Sequence, residues 1–204
     1  MKRLLAFLFL AIVLVAAWWL FFRTEKPSGD NGNEQQSALV VKKHSASFNT
    51  EIERLIDSYM QLKDAFVNAD SALAKEKSAQ LLSVADSLSL DELSDSDTQL
   101  LAAARQQLSD IRANAAPISE ENDLTSMRQD FRMVSENMYP FLKTIGYEGD
   151  KLYWQNCPMA FGDQEANWLS TTSEIVNPYL GKNHPEFKSS MLHCGEVKDS
   201  IFLR

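Results

Sequence analysis

The chain has 204 residues and a formal net charge of −8, with 28 acidic and 20 basic residues. This length is enough for one domain and an anchoring segment. Binding to nucleic acid needs a basic surface, so the acidic balance predicts no nucleic-acid partner. The sequence also lacks a phosphate-cradling glycine motif, HExxH and GxSxG. We therefore predict a protein that is not an enzyme.

An unbroken apolar stretch lies close to the N-terminus, at residues 4–22. As a helix it is about 28 Å long, which is just enough to cross the hydrocarbon core of a bilayer. Lys2 and Arg3 precede it, and basic flanks remain in the cytoplasm. The signal for cleavage is poor, because Ala17 is followed by tryptophan. We predict that residues 1–23 form an uncleaved signal-anchor, a single-pass helix in the inner cell membrane.

The remainder is then exported, with its folded part in the periplasm. The alternative is a cleaved signal peptide, which would leave a periplasmic or secreted protein. Residues 24–45 are polar and contain Pro27, Gly29 and Gly32, so they are predicted to be a flexible linker. His44, at the end of this linker, is expected to be solvated. Residues 46–204 form the predicted periplasmic domain.

Four amphipathic helical segments follow the linker, joined by short connections. They predict a mainly α fold, an up-down four-helix bundle with a small irregular or two-stranded C-terminal segment. Pro117 is expected to end the third helix, and Pro140 to kink or break the fourth. Four methionines are expected in the core: Met60, Met127, Met133 and Met138. The first predicted helix is 49–68, capped by Asn49 or Thr50, and the second is 70–88, capped by Asp70. The third runs from Asp95 or Asp97 to 114–117, and the fourth runs from Ser119 or Asn122 to Gly146.

The residues with distinctive chemistry are concentrated at the C-terminal end. Both cysteines lie there, in the runs 157–159 (Cys-Pro-Met) and 191–195 (Met-Leu-His-Cys-Gly). Thiolate, thioether and imidazole groups suit soft ions such as Cu(I) or Ag(I). In an extended chain, residues two apart face the same way, so Cys157 and Met159 are expected to present their sulfur atoms on one side. The candidate metal ligands are Cys157, Met159, Met191 and Cys194, with His193 as an alternate.

A disulfide is the competing interpretation. Two cysteines in an exported protein often pair, and a Cys157–Cys194 bond would stabilise the fold by roughly 3–4 kcal/mol. Residues 151–156 and 192–198 are predicted to be two strands. Antiparallel pairing of these strands would bring the cysteines together at one end of the bundle. Gly162 and Gly181 are predicted to form turns. Trp168 is expected to pack against the bundle, or else to contact a bound monovalent ion through its ring.

The C-terminal segment contains several short motifs. They are Cys157-Pro158-Met159-Ala160, Trp168-Leu169-Ser170, Glu174-Ile175, Asn177-Pro178-Tyr179, Gly181, Met191, Cys194 and Gly195. These motifs resemble those of a bacterial family described as a domain of unknown function. The resemblance covers roughly residues 45–200 and includes the helical runs 59–65 and 141–143. That domain occurs alone in exported proteins, or fused to the end of periplasmic adaptor subunits of copper/silver efflux systems of the resistance-nodulation-division type.

The resemblance implies a connection with heavy metals and with envelope metal-efflux or metal-handling proteins. It also implies structural roles around the site for Trp168, Asn177, Pro178, Tyr179 and Gly195. Residues 182–190 are longer than the family spacing; they form a surface loop or bring His184 to the site. The first hypothesis is a membrane-tethered periplasmic module that binds Cu(I) or Ag(I). The alternative is a structural or interaction domain of the envelope with a Cys157–Cys194 disulfide and no metal.

Overall fold

Four helices precede a three-stranded antiparallel sheet in residues 44–95 and 97–202, which are the part of the chain that the computed structural model describes. The predicted membrane helix and all but the end of the linker lie outside these residues. Within them, no helix has the length and apolar character that a membrane crossing requires. The helices are α1 (Ala46–Val67), α2 (Ser71–Ser87), α3 (Thr98–Glu120) and α4 (Leu124–Ile145), with a short 3-10 helix at Asp91–Asp95.

Each helix begins where a polar side chain accepts a hydrogen bond from a backbone N–H of the first turn. Asp70 and Asp97 cap α2 and α3, as predicted. The expected cap of α1 was wrong, because Ser45 Oγ accepts from Phe48 N at 3.1 Å and the helix starts earlier. At the other end of the helical part, Gly146 ends α4 with a φ of +70°, which confirms that prediction.

Both prolines lie inside helices, so the predicted end of the third helix and the predicted break in the fourth were wrong. The third helix continues through Pro117 to Glu120, and the fourth through Pro140 to Ile145. A proline removes one backbone hydrogen bond, but the residues after each proline are anchored by burial. Ile118 is fully buried after Pro117, and Phe141 and Leu142 are fully buried after Pro140.

Side chains of all four helices share one hydrophobic core. Its centre is aromatic: the rings of Tyr59 and Phe66 lie 5.3 and 5.0 Å from that of Phe131. Met127 and Met138 are buried in this core, and Met60 packs against it. Met133 is 45% exposed, so its predicted core position was wrong.

The C-terminal sheet has the strand order β2-β1-β3. Its strands are β1 (Leu152–Phe161), β2 (Gln164–Ser170) and β3 (Glu196–Ile201). The prediction of two strands therefore missed β2. A two-residue turn joins β1 to β2, and Gly162 adopts a φ of +70° there, as the tight reversal requires.

The sheet packs against the side of the helical part. The ring of Trp154 stacks on that of Tyr139 at a centroid distance of 4.4 Å. In addition, the backbone N–H of Leu169 donates to Tyr59 Oη at 3.0 Å. Tyr59 and Tyr139 are interior residues of α1 and α4, so this part of the sheet lies along the side of the helices.

The linker ends in a fixed position on the helical part. The ring atoms Nδ1 and Nε2 of His44 lie 3.0 Å from Glu92 Oε1 and 2.6 Å from the carbonyl oxygen of Ile145. Ser45 N also donates to Glu92 Oε1 at 2.9 Å. The expectation that His44 is simply solvated was wrong, because two acceptors hold its ring.

Candidate functional site

The two cysteines meet, as the predicted strand pairing required. Their Sγ atoms lie 3.3 Å apart, and both thiols are free. Cys157 is fully buried on the central strand β1, whereas Cys194 is partly exposed in the segment that leads into β3. The pairing of β1 with β3 brings together residues that are 37 positions apart. The result is a thiol pair with one deep and one accessible sulfur.

The surroundings of Cys194 favour its protonated thiol. Burial, followed by the hydrogen bond and the charge of Cys157, raises the pKa of Cys194 to about 11. A thiol with this pKa is protonated at neutral pH, so a metal that binds it as thiolate must displace the proton. Binding of a soft ion to Cys194 would therefore release a proton.

The orientation of His193 leaves one ring nitrogen available. Its Nδ1 lies 2.7 Å from the carbonyl oxygen of Ile175. A carbonyl can only accept, so Nδ1 carries the proton and Nε2 of the neutral ring keeps its lone pair. Metal-binding histidines commonly use this arrangement, in which one nitrogen is held by a carbonyl and the other is a ligand. The side chain is exposed, next in sequence to Cys194.

The two candidate methionines differ in burial. Met191 is half-buried and packs against the core. Met159 is 44% exposed although Cys157, two positions earlier, is fully buried. A register irregularity between Cys157 and Phe161 interrupts the alternation of the strand there. The two sulfur-containing side chains therefore differ sharply in their access to solvent.

Asn177 fixes the segment that carries Cys194. Its Nδ2 donates to the carbonyl oxygen of Cys194 at 2.8 Å, and its backbone N–H donates to that of Leu192 at 2.8 Å. Its Oδ1 accepts from the backbone N–H groups of Tyr179 and Leu180 at 2.8 and 3.0 Å. One buried side chain thus ties the Asn-Pro-Tyr turn to the accessible cysteine.

Gly195 allows the same segment to approach the sheet. Its φ is +144°, and a Cβ there would lie 2.6 Å from the carbonyl oxygen of Asn156 and 3.1 Å from Cη2 of Trp168. Only glycine fits both this conformation and this distance. The residue is thus needed for the close contact between the Cys194 segment and β1.

Sequence reasoning missed Arg128, a buried residue of α4. Its Nε donates to the carbonyl oxygen of Pro178 at 3.1 Å, and its Nη2 donates to that of Phe66 at 3.1 Å. Burial lowers the pKa of Arg128 to about 10. The guanidinium joins the Asn-Pro-Tyr turn to the C-terminal end of α1, where helix carbonyls favour a cation. A basic residue beside the core residue Met127 was the only signal in the sequence.

Two further buried groups share the sheet face of Cys157. Gln155 lies two positions before Cys157 on β1 and pairs with Trp168 on β2. Gln155 Nε2 donates to the carbonyl oxygens of Thr172 and Glu174 at 2.9 and 3.0 Å. Its Oε1 and Trp168 Nε1 are buried without a hydrogen-bond partner. An unpaired acceptor and an unpaired donor therefore belong to directly paired residues of β1 and β2, two positions along β1 from Cys157.

The long 182–190 segment lies on the turn between α1 and α2. Lys182 Nζ donates to Asn68 Oδ1 at 3.1 Å, and Asn183 Nδ2 donates to the carbonyl oxygen of Asn68 at 3.2 Å. His184 stacks on Phe187 at a centroid distance of 4.9 Å. Burial and the charge of Arg128 lower the pKa of His184. These contacts favour the surface-loop interpretation of this segment.

The comparisons with known proteins concern the helical part. Residues 55–149 match one family model. It is described as a protein of unknown function (DUF3347). The match supports the resemblance to a domain-of-unknown-function family across the helices, and it ends before the first cysteine. No curated protein and no solved structure matches the chain significantly.

No group of three or more His, Cys, Asp and Glu side chains arranged to hold a metal occurs in residues 44–95 and 97–202.

Proposed function

We propose that this protein is a membrane-tethered periplasmic module that binds a soft monovalent ion, Cu(I) or Ag(I), on Cys157 and Cys194. The observation that supports the proposal best is the 3.3 Å contact between two free thiols that come from distant parts of the chain. Paired thiolates are the donors that such ions prefer. The donor atoms of these two residues therefore suit the ion.

The other candidate ligands differ in donor atom and in exposure, and we assign each a different role. His193 offers Nε2 next to Cys194, since Ile175 already holds Nδ1. Met191, half-buried near the same segment, offers a thioether. Met159, at 44% exposure, is a surface donor that would receive the ion before the buried pair does. The ion would be held for, or transferred to, metal-efflux or metal-handling proteins of the envelope.

The membrane and periplasmic parts of the proposal rest on the sequence. The apolar residues 4–22 with their basic flank support an inner-membrane anchor. Cleavage after export, giving a periplasmic protein, is the alternative. The link to efflux systems rests on the resemblance of the C-terminal motifs.

A structural domain is the second candidate, and the same contact supports it. Closing the two sulfurs into a disulfide would tie the 171–195 segment to β1, and no metal would then be bound. The domain would present a surface to an envelope partner. The oxidation state of the thiols separates the two candidates.

The first test is therefore a thiol count on the full chain, purified in detergent from membranes without added oxidant or reductant. Cu(I) is then titrated into the reduced protein against a competing chelator. We expect two free thiols and one tightly bound equivalent, which Cys157→Ser and Cys194→Ser abolish. Met159→Leu should weaken binding, whereas Met133→Leu should not; both methionines are about equally exposed, at 44% and 45%.

Two results would refute the metal-binding proposal. One is a pair of cysteines that stays oxidised until the protein unfolds. The other is a reduced protein with two titratable thiols that retains no copper. The first result would favour the structural domain.

A further inference from the structure

The distance between the two thiols suits a bent chelate better than a linear one. With metal–sulfur bonds of roughly 2.3 Å, sulfurs 3.3 Å apart subtend an angle of about 90° at the bound atom, whereas a linear ion needs them about 4.6 Å apart. Cu(I) or Ag(I) would have to draw the sulfurs apart. Trivalent arsenic and antimony keep a lone pair, and their three bonds form a pyramid with angles close to a right angle. The pair is preorganised for such an atom.

A trivalent arsenic atom on two thiols keeps one hydroxyl group, which needs both a donor and an acceptor when it is buried. The sheet face of Cys157 offers both: Trp168 Nε1 is an unpaired donor and Gln155 Oε1 an unpaired acceptor. The two residues are direct cross-strand partners, and both are fully buried. Gln155 is two positions from Cys157, so its side chain is on the same face. The segment carrying Cys194 closes over Trp168 at Gly195.

The geometry points to a second ligand class for this site: a hydroxylated trivalent metalloid such as arsenite, chelated by Cys157 and Cys194 with its remaining hydroxyl between Gln155 and Trp168. The exchange is As(OH)₃ plus two thiols giving As(OH)(SR)₂ plus two waters. Two As–O bonds break, two As–S bonds form, and each thiol proton leaves with a hydroxide as water. Arsenic stays trivalent, so no oxidant or reductant is needed. The inference uses the same reduced thiol pair as the proposed function.

The test uses the full chain in detergent, reduced and kept free of oxygen, with arsenite and Ag(I) titrated in separate experiments. Arsenite binding is followed by the ultraviolet absorption of the arsenic–thiolate bonds. We expect one equivalent with loss of both free thiols. Cys194→Ser should weaken arsenite binding by on the order of 100-fold or more, because the second bond is no longer intramolecular.

Trp168→Phe is the variant specific to the hydroxyl, because it removes the N–H and keeps an aromatic ring. It should weaken arsenite binding about 5- to 10-fold, the usual value of one hydrogen bond, and change Ag(I) binding by less than about twofold. The matched control is Trp154→Phe, on the opposite face of β1 against Tyr139. Circular dichroism verifies that both variants are folded.

Each remaining outcome decides between the two proposals. If the reduced protein binds Ag(I) but not arsenite, the metalloid inference is overturned and the proposed function stands. Binding of arsenite without Ag(I) would refute the proposed function alone. If Trp168→Phe weakens both ligands equally, or neither, the hydrogen-bonded hydroxyl is wrong and the inference as stated is overturned.

Discussion

Replacing Asn177 with alanine should loosen the segment that carries Cys194 while leaving the helical part intact. The substitution removes three side-chain hydrogen bonds: one to the carbonyl oxygen of Cys194 and two from the backbone N–H groups of Tyr179 and Leu180. At about 1 kcal/mol for each bond, the free energy of unfolding should fall by about 3 kcal/mol. The loss for each bond should lie at the upper end of the usual range, because Asn177 is fully buried and the groups that it leaves behind have little access to water.

Two assays separate the local effect from the global one. Urea unfolding followed by circular dichroism gives the change in stability, and the titration of the reduced thiols with Ag(I) gives the affinity. We expect both to fall, since the position of Cys194 depends on this side chain. Asn137→Ala is the control, because it removes a single bond, to the carbonyl oxygen of Met133, and should cost less than about 1 kcal/mol.

The result that would refute this reasoning is a loss of stability below about 0.5 kcal/mol for Asn177→Ala, which would mean that water replaces its partners. An unchanged affinity for Ag(I) together with the full loss of stability would show that the Cys194 segment is held by other contacts.

Three further changes have clear expected results. Gly195→Ala should lower the free energy of unfolding, measured by urea unfolding, by about 1–3 kcal/mol, because Gly195 has a φ of +144° and a Cβ there would lie 2.6 Å from a carbonyl oxygen. Gly162→Ala is the control: a Cβ at Gly162 meets nothing within 4 Å, so the loss of stability should be smaller. Arg128→Met should cost about 2–3 kcal/mol in the same assay, since two buried carbonyl oxygens lose a charged donor. Partial burial raises the pKa of Glu92, but hydrogen bonds from Ser45 and His44 outweigh it and lower the pKa overall. The ionised Glu92 therefore stabilises the fold fully well above pH 4.5, and this stabilisation is lost as the pH falls through the lowered pKa. The difference in the free energy of unfolding between wild type and Glu92→Gln should therefore shrink on acidification. A difference that persists unchanged in acid would contradict this assignment.

Local signals in the sequence accounted for the helices. An aspartate before an amphipathic stretch predicts a start, as at Asp70, and a glycine after one predicts an end, as at Gly146. The prolines misled because their cost is local, whereas the burial of Ile118 and Phe141 depends on the whole core. Met133 shows the same limit, since being beside an apolar stripe does not decide which side faces the core.

Local sequence signals predicted only part of the sheet. Two strands and the meeting of the cysteines followed from the pattern and from antiparallel pairing. The strand β2 was missed because Gln164–Ser170 mixes polar and apolar residues, and its Trp168 and Leu169 are both buried, one on each face. A strand that is covered on both sides gives no simple alternation. The partners of Arg128 could not be predicted, because they are carbonyl oxygens of distant residues and leave no trace in side-chain composition.

The environment of Cys194 makes its sulfur a poor nucleophile. A reactive cysteine needs a lowered pKa, supplied by a neighbouring cation or a helix N-terminus. Here burial and Cys157 raise the pKa of Cys194, and the Nδ1 of His193 is directed to the carbonyl oxygen of Ile175. Protonated thiols are poor nucleophiles, yet they lose their protons to a soft ion that forms strong bonds to sulfur. Metal affinity should therefore rise with pH, by up to tenfold per pH unit for each proton released; an affinity that does not change between pH 6 and 8 would show that the ion does not bind as we propose.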